Sequence, residues 1–163
     1  MKRALSLLFT LIAATTFAAE NGKTIATPSG TIYYETIGGG SATPLLMING
    51  GPGFDHPYFH FGDDVWNALA AKRTIVFYDQ RGTGQSQPNP GGTTKFADLL
   101  ADIETLRKHL GYERWDVFGH SWGGLLAMAY AARSPEHIRR LMICDSAAPK
   151  WSDTEFLFAQ VFP

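Results

Sequence analysis

With 163 residues, 45% apolar and 18% charged, the chain has the size of about one domain and is neither disordered nor collagenous. Its 14 basic side chains against 15 acidic ones leave a net charge of −1, which excludes nucleic-acid binding driven by a basic excess. One cysteine, Cys144, excludes an intrachain disulfide and a multi-cysteine zinc site, and neither a metal nor a cofactor is expected.

Residues 1–19 read as a secretory signal peptide. Lys2 and Arg3 precede the mostly apolar run from Ala4 to Ala14, and small residues then offer cleavage after Ala18 or Ala19. The run is well short of the roughly 20 residues a membrane span needs. The expectation is therefore an exported, periplasmic or extracellular protein, mildly acidic once Lys2 and Arg3 are removed. A lone cysteine suits that oxidising setting, since it has no partner in the chain to mispair with.

From Thr24 the pattern is β-like. Thr31 to Ile37 is rich in β-branched and aromatic residues, with turn residues on both sides. Leu45 to Ile48 is wholly apolar, as expected of a strand covered on both faces in a parallel sheet. Thr74 to Tyr78, Trp115 to Phe118 and Leu141 to Cys144 repeat that design. Between them, Phe96, Leu99, Leu100, Ile103, Leu106 and Leu110 form a helical stripe, with Thr94 as its cap and Gly111 as its stop. Glu104 and Lys108 have the spacing of an exposed i,i+4 pair. Leu125 to Arg133 reads as a second helix, ended by Ser134-Pro135, and Asp64 to Ala71 as a weaker one. Strands alternating with helices predict an α/β fold with a mostly parallel sheet flanked by helices.

In such a sheet, chemistry gathers outside the carboxyl ends of the strands. Gly119-His-Ser-Trp-Gly123 follows one of the apolar runs, with an Ala-rich helix after it. A G-x-S-x-G sequence in that setting holds its serine at a sharp strand-to-helix corner, so Ser121 is the candidate nucleophile; the alternative is a serine that merely serves the turn. The following helix aims unpaired N–H groups at the corner, where negative charge develops. Asn49-Gly-Gly-Pro-Gly53 follows an earlier strand and can aim a backbone N–H at an oxyanion, joining that of Trp122. Gly51 is the candidate donor, with Gly50 next. A plain reversal of the chain is the alternative.

Asn49-Gly-Gly-Pro-Gly53, Asp79-Gln-Arg-Gly-Thr-Gly-Gln-Ser86 and Gly119-His-Ser-Trp-Gly-Gly124, in that order, resemble α/β-hydrolase-fold serine peptidases of the proline iminopeptidase type. The resemblance runs from about Thr24 to Pro149. It implies release of an N-terminal residue, typically proline, from small peptides, with Ser121 as nucleophile and Gly51 and Trp122 as the oxyanion hole. It also implies a structural wall from Asp79 to Ser86, with Arg81 pinning loops. Asn49 departs from the family pattern, which usually has His there, so a general esterase or amidase is the alternative activity. By the same resemblance, residues 20–149 are the N-terminal part of the hydrolase domain and 150–163 begin a cap.

The proton acceptor is missing. In this fold the order is Ser, then Asp or Glu, then His, and the one histidine after Ser121 is His137. It precedes a strand, which at about 3.3 Å per residue puts it roughly 17 Å or more from Ser121, so surface solvation is its expected role. His120 is expected to point away from the hydroxyl and His109 to lie on a helix surface. His56 and His60 follow the glycine loop. His56 is a pocket candidate because the resembling family often has a histidine at its place. Asp145 stands at the correct strand end to orient a base, but no base follows it. The expectation is an incomplete domain with an unpaired apolar edge at its last strand, whose missing groups lie in a truncated or separately encoded C-terminal half. A fragment without activity, serving at most as a binding subunit, is the rival outcome.

Overall fold

The structure, a computed structural model, describes residues 22–150 and 152–153. The expected leader over 1–19 lies outside them, as does the expected cap segment apart from Lys150, Ser152 and Asp153. Strands β1 (Lys23–Thr27) and β2 (Gly30–Ile37) form a hairpin, followed by β3 (Ala42–Ile48) and a 3-10 helix (His56–Gly62). Helix α1 (Asp63–Ala70), β4 (Arg73–Tyr78), the short β5 (Gln87–Pro88) and α2 (Phe96–His109) come next. Then come β6 (Trp115–His120), α3 (Trp122–Arg133), a 3-10 turn (Pro135–His137) and β7 (Ile138–Cys144).

The strands lie in the order β1-β2-β4-β3-β6-β7, with β5 paired to β2. The pairs β3–β4, β3–β6 and β6–β7 are parallel, whereas β1–β2, β2–β4 and β2–β5 are antiparallel. The apolar runs of β3 and β4 are covered on both faces. Leu46, Ile48, Val76, Tyr78 and Val117 pack with Leu100, Ile103 and Leu106 of α2 and with Leu126 and Tyr130 of α3. Leu45, Met47, Ile75 and Phe77 point the other way, against Phe59 and Ala70. Alternate residues of one strand therefore fill two different cores. β7 has a neighbour on one side only, and Leu141, Met142 and Ile143 are exposed among the described residues.

Three local expectations change. Helix α2 is capped at Lys95 rather than Thr94, and the Asp98 carboxylate accepts the Lys95 backbone N–H at 2.9 Å. Glu104 does not pair with Lys108. It faces inward, where it accepts Arg107 Nη2 and Nε at 2.9 and 3.0 Å and the Tyr130 hydroxyl, and lies 3.0 Å from His137 Nδ1. His137 thus lies within hydrogen-bond distance of Glu104 rather than being a solvated surface group. Burial pushes the Glu104 carboxyl up, but the Arg107 and Tyr130 hydrogen bonds and the charges of Arg107 and His137 outweigh it and hold the pKa down at about 2.

A depressed carboxylate stabilises the fold fully above its unfolded pKa and loses that stabilisation as pH falls toward the folded value. Acid titration from pH 5 to pH 2 is therefore expected to remove up to about 3 kcal/mol through this residue. Denaturant unfolding across that range should lose this pH-dependent component in Glu104→Gln.

Candidate active site

Three loops meet at the carboxyl ends of β3, β4 and β6. Ser121 stands between the last residue of β6 and the first of α3, with φ 54° and ψ −122°. That left-handed φ is costly for a residue with a Cβ, and it is held by its surroundings. The Ser121 N–H donates to the Cys144 carbonyl at 3.0 Å, and its own carbonyl accepts Gly124 N–H at 2.9 Å and Ala147 N–H at 3.3 Å. Ser121 is half-buried, and among the described residues its hydroxyl has no hydrogen-bond partner.

The flanking glycines permit this corner. A Cβ on Gly119 would lie 2.4 Å from the Gly123 carbonyl oxygen and 2.8 Å from Ala127 Cβ. One on Gly123 would lie 2.1 Å from the Ile48 carbonyl oxygen. Only glycine lets α3 start this close to β6 and to the end of β3. Gly50 sits against the serine: a Cβ there would be 3.3 Å from both Ser121 Cβ and the Tyr58 hydroxyl, and 3.4 Å from His120 Nδ1. Gly51 has φ 119°, a backbone conformation that favours glycine.

A chain of side-chain amides ties the three loops together. Trp122 Nε1 donates to Gln80 Oε1 at 2.9 Å, and Gln80 Nε2 donates to the Asn49 carbonyl at 2.9 Å. Asn49 Nδ2 donates to the carbonyls of Phe54 at 2.7 Å and Gly50 at 3.1 Å, closing the glycine loop on itself. Asn49 therefore fastens this loop where the resembling family usually carries His. Gln80 belongs to the expected structural wall from Asp79 to Ser86, and its bridging of the two loops goes beyond that expectation. Its place in the Asp79–Ser86 motif was the available signal, but a polar residue in a turn has no partner until the strands are ordered in space.

His56, a pocket candidate, is a buried brace between Asp79 and Glu35. It is 6% exposed, its backbone N–H and its Nδ1 both lie 2.7 Å from Asp79 Oδ1, and its Nε2 lies 3.1 Å from Glu35 Oε1. Burial lowers the imidazole pKa, but the Asp79 hydrogen bond and the Asp79, Glu35 and Asp55 charges outweigh it and raise it above the usual value. Burial likewise raises Asp79, and the hydrogen bonds from His56 and from the Gln85 and His56 N–H groups bring it below the usual value. Arg81 pins loops as expected: Nε donates to Asp102 Oδ2 at 3.0 Å, and Nη2 donates to Asp102 Oδ1 and, at 3.0 Å, to Thr27 Oγ1.

His120 does not turn fully away from the corner. Its Nδ1 lies 2.8 Å from the Tyr58 hydroxyl, and its Nε2 lies 4.0 Å from Asp145 Oδ2. Tyr58 stacks on Phe54, whose ring is 56% exposed, so an aromatic wall stands beside Gly50. Asp145 has φ 43° at the end of β7, with a side chain that is 86% exposed. His109 is exposed and lies 3.2 Å from the Tyr34 hydroxyl. None of the described histidines is hydrogen-bonded to Ser121. Among the described residues, two groups carry metal-ligating donors, Glu35 with His56 and His60, and His120 with Cys144 and Asp145.

A strained serine at a strand–helix corner beside a glycine loop is the arrangement of one large family, and the model of the alpha/beta hydrolase fold matches residues 43–163. The chain belongs to the α/β hydrolase family. It is 46% identical over 105 residues to a proline iminopeptidase of Xanthomonas citri, covering 63% of this chain and 32% of that one. It is 34% identical over 141 residues to the proline iminopeptidase of Neisseria gonorrhoeae, covering 81% and 43%. Among solved structures, the proline iminopeptidase of Mycobacterium smegmatis superposes with a TM-score of 0.71 at 28% identity, covering 88% of this chain and 50% of that one. A putative epoxide hydrolase from Pseudomonas aeruginosa gives a TM-score of 0.67 at 26% identity, covering 76% and 40%. This hydrolase chain spans less than half the length of the curated relatives named here.

Proposed function

We propose that this chain carries the nucleophile and oxyanion hole of an exported serine hydrolase that releases an N-terminal residue, typically proline, from small peptides. One observation carries the reading: Ser121, at φ 54°, stands at the β6–α3 corner with the Gly50 backbone against its Cβ. Ser121 Oγ attacks the scissile carbonyl carbon and gives up its proton to a base. The N–H groups of Gly51 and Trp122, with Gly50 beside them, stabilise the oxyanion. The amine leaves with that proton, and water then cleaves the acyl-serine ester. The base and its orienting carboxylate come from polypeptide beyond these 163 residues, on the same chain or separately encoded. Export rests on the leader-like residues 1–19. No helix among the described residues is long and apolar enough to cross a membrane.

The substrate class is tested by joining the chain to the unmatched C-terminal portion of the Xanthomonas citri relative and comparing prolyl arylamide with a short acyl ester. The expected result is a kcat/KM for the arylamide at least tenfold above that for the alanyl arylamide, and above that for the ester. Preference for the ester, with the arylamide untouched, would replace the peptidase reading by a general esterase.

A further inference from the structure

Away from Ser121, a second cluster of reactive side chains has the makings of a site. We propose that Glu35, His56 and His60 bind one divalent transition-metal ion of the zinc class, bracing the glycine loop onto β2. Their donor atoms lie within 4.8 Å of one another. His56 Nε2 is 3.1 Å from Glu35 Oε1, and His60 Nε2 is 3.5 Å from Glu35 Oε2. Ligand atoms at about 2.0–2.1 Å from a tetrahedral ion stand roughly 3.3–3.4 Å apart; of the three separations, two, each to a different Glu35 oxygen, are near that size, and a small rotation of the carboxylate presents one oxygen to both imidazoles. The third closes by movement of His60, whose side chain is 35% exposed and also opens the path of entry. Two imidazoles and one carboxylate form a three-ligand zinc set with a fourth position left for water.

The outer contacts point the same way. The His56 Nδ1 faces Asp79 at 2.7 Å, which turns Nε2 toward Glu35, and the Tyr33 hydroxyl donates to Glu35 Oε1 at 2.6 Å. Imidazole ligands characteristically direct their second nitrogen at a carboxylate, and ligating carboxylates are themselves hydrogen-bonded. Charge agrees as well. Glu35 and Asp79 are 6% and 0% exposed, and both face His56. Two buried carboxylates against His56 call for positive charge, which a divalent cation held by neutral imidazoles supplies. A proton on His56 Nε2 and a metal ion are therefore competing occupants of one position. The serine chemistry does not require this ion.

The test is a titration of the full, tag-free chain, stripped with chelator and held at neutral pH, with Co²⁺ as a visible probe. The expected result is a visible d–d band saturating at one equivalent and displaced by Zn²⁺. His60→Ala, at the most exposed ligand, should weaken Co²⁺ binding by more than about 100-fold, the upper end of what loss of a mere outer contact costs. Far-UV circular dichroism confirms that this variant is folded. Cys144→Ser, in the other donor cluster, should leave the band intact. A folded chain without a band would overturn the proposal. So would a band that survives His60→Ala and disappears in Cys144→Ser.

Discussion

Ser121→Ala is expected to lower turnover of the completed enzyme by on the order of a million-fold, the effect of deleting the nucleophile of a serine triad. The size follows from the geometry. Ser121 alone occupies the strained turn between β6 and α3, while His120 is engaged with the Tyr58 hydroxyl and the Asp145 side chain points into solvent. Binding should survive, because the glycine loop and the Trp122–Gln80–Asn49 chain do not involve the serine hydroxyl. The expectation is therefore a loss in kcat with KM nearly unchanged, measured on a prolyl arylamide. A variant within tenfold of the parent rate would remove Ser121 from the chemistry.

Asp102→Ala is expected to cost about 3–5 kcal/mol of stability, the penalty for leaving a buried charge without its partner. Arg81 is 6% exposed, donates two hydrogen bonds to Asp102 of α2, and has an Nη1 with no partner among the described residues. Removing the carboxylate strands that guanidinium between the β4 turn and β1, where water has no ready access. Replacing both residues by apolar ones of similar volume should recover much of the loss. Urea unfolding of the single and double variants measures both effects. A single variant that loses less than about 1 kcal/mol, the range of an exposed pair, would show that the pair is solvated.

The parallel half of the sheet was legible because burial on both faces leaves an unbroken apolar run, as in Leu45 to Ile48 and Thr74 to Tyr78. The corner at Ser121 was legible because its glycines answer to contacts that admit no side chain. Pairwise partners were harder to read. Glu104 and Lys108 have suitable helix spacing, yet Arg107, Tyr130 and His137 surround Glu104, because α2 turns that residue toward α3 and the turn before β7. His56 had no visible partner, since Glu35 and Asp79 reach it only once β2 lies antiparallel beside β4. Periodicity predicts which face is covered but not which distant polar group covers it. The left-handed backbone at Asp145 had no sequence signal either, because only glycine advertises that conformation.

The most direct measurement is peptide mapping of a fluorophosphonate adduct on the chain before and after it is joined to a C-terminal hydrolase portion. The account predicts no adduct on the chain alone, and a stoichiometric adduct on the peptide carrying Ser121 once the base is supplied. An active completed enzyme whose adduct sits on another residue, or persists undiminished in Ser121→Ala, would contradict it.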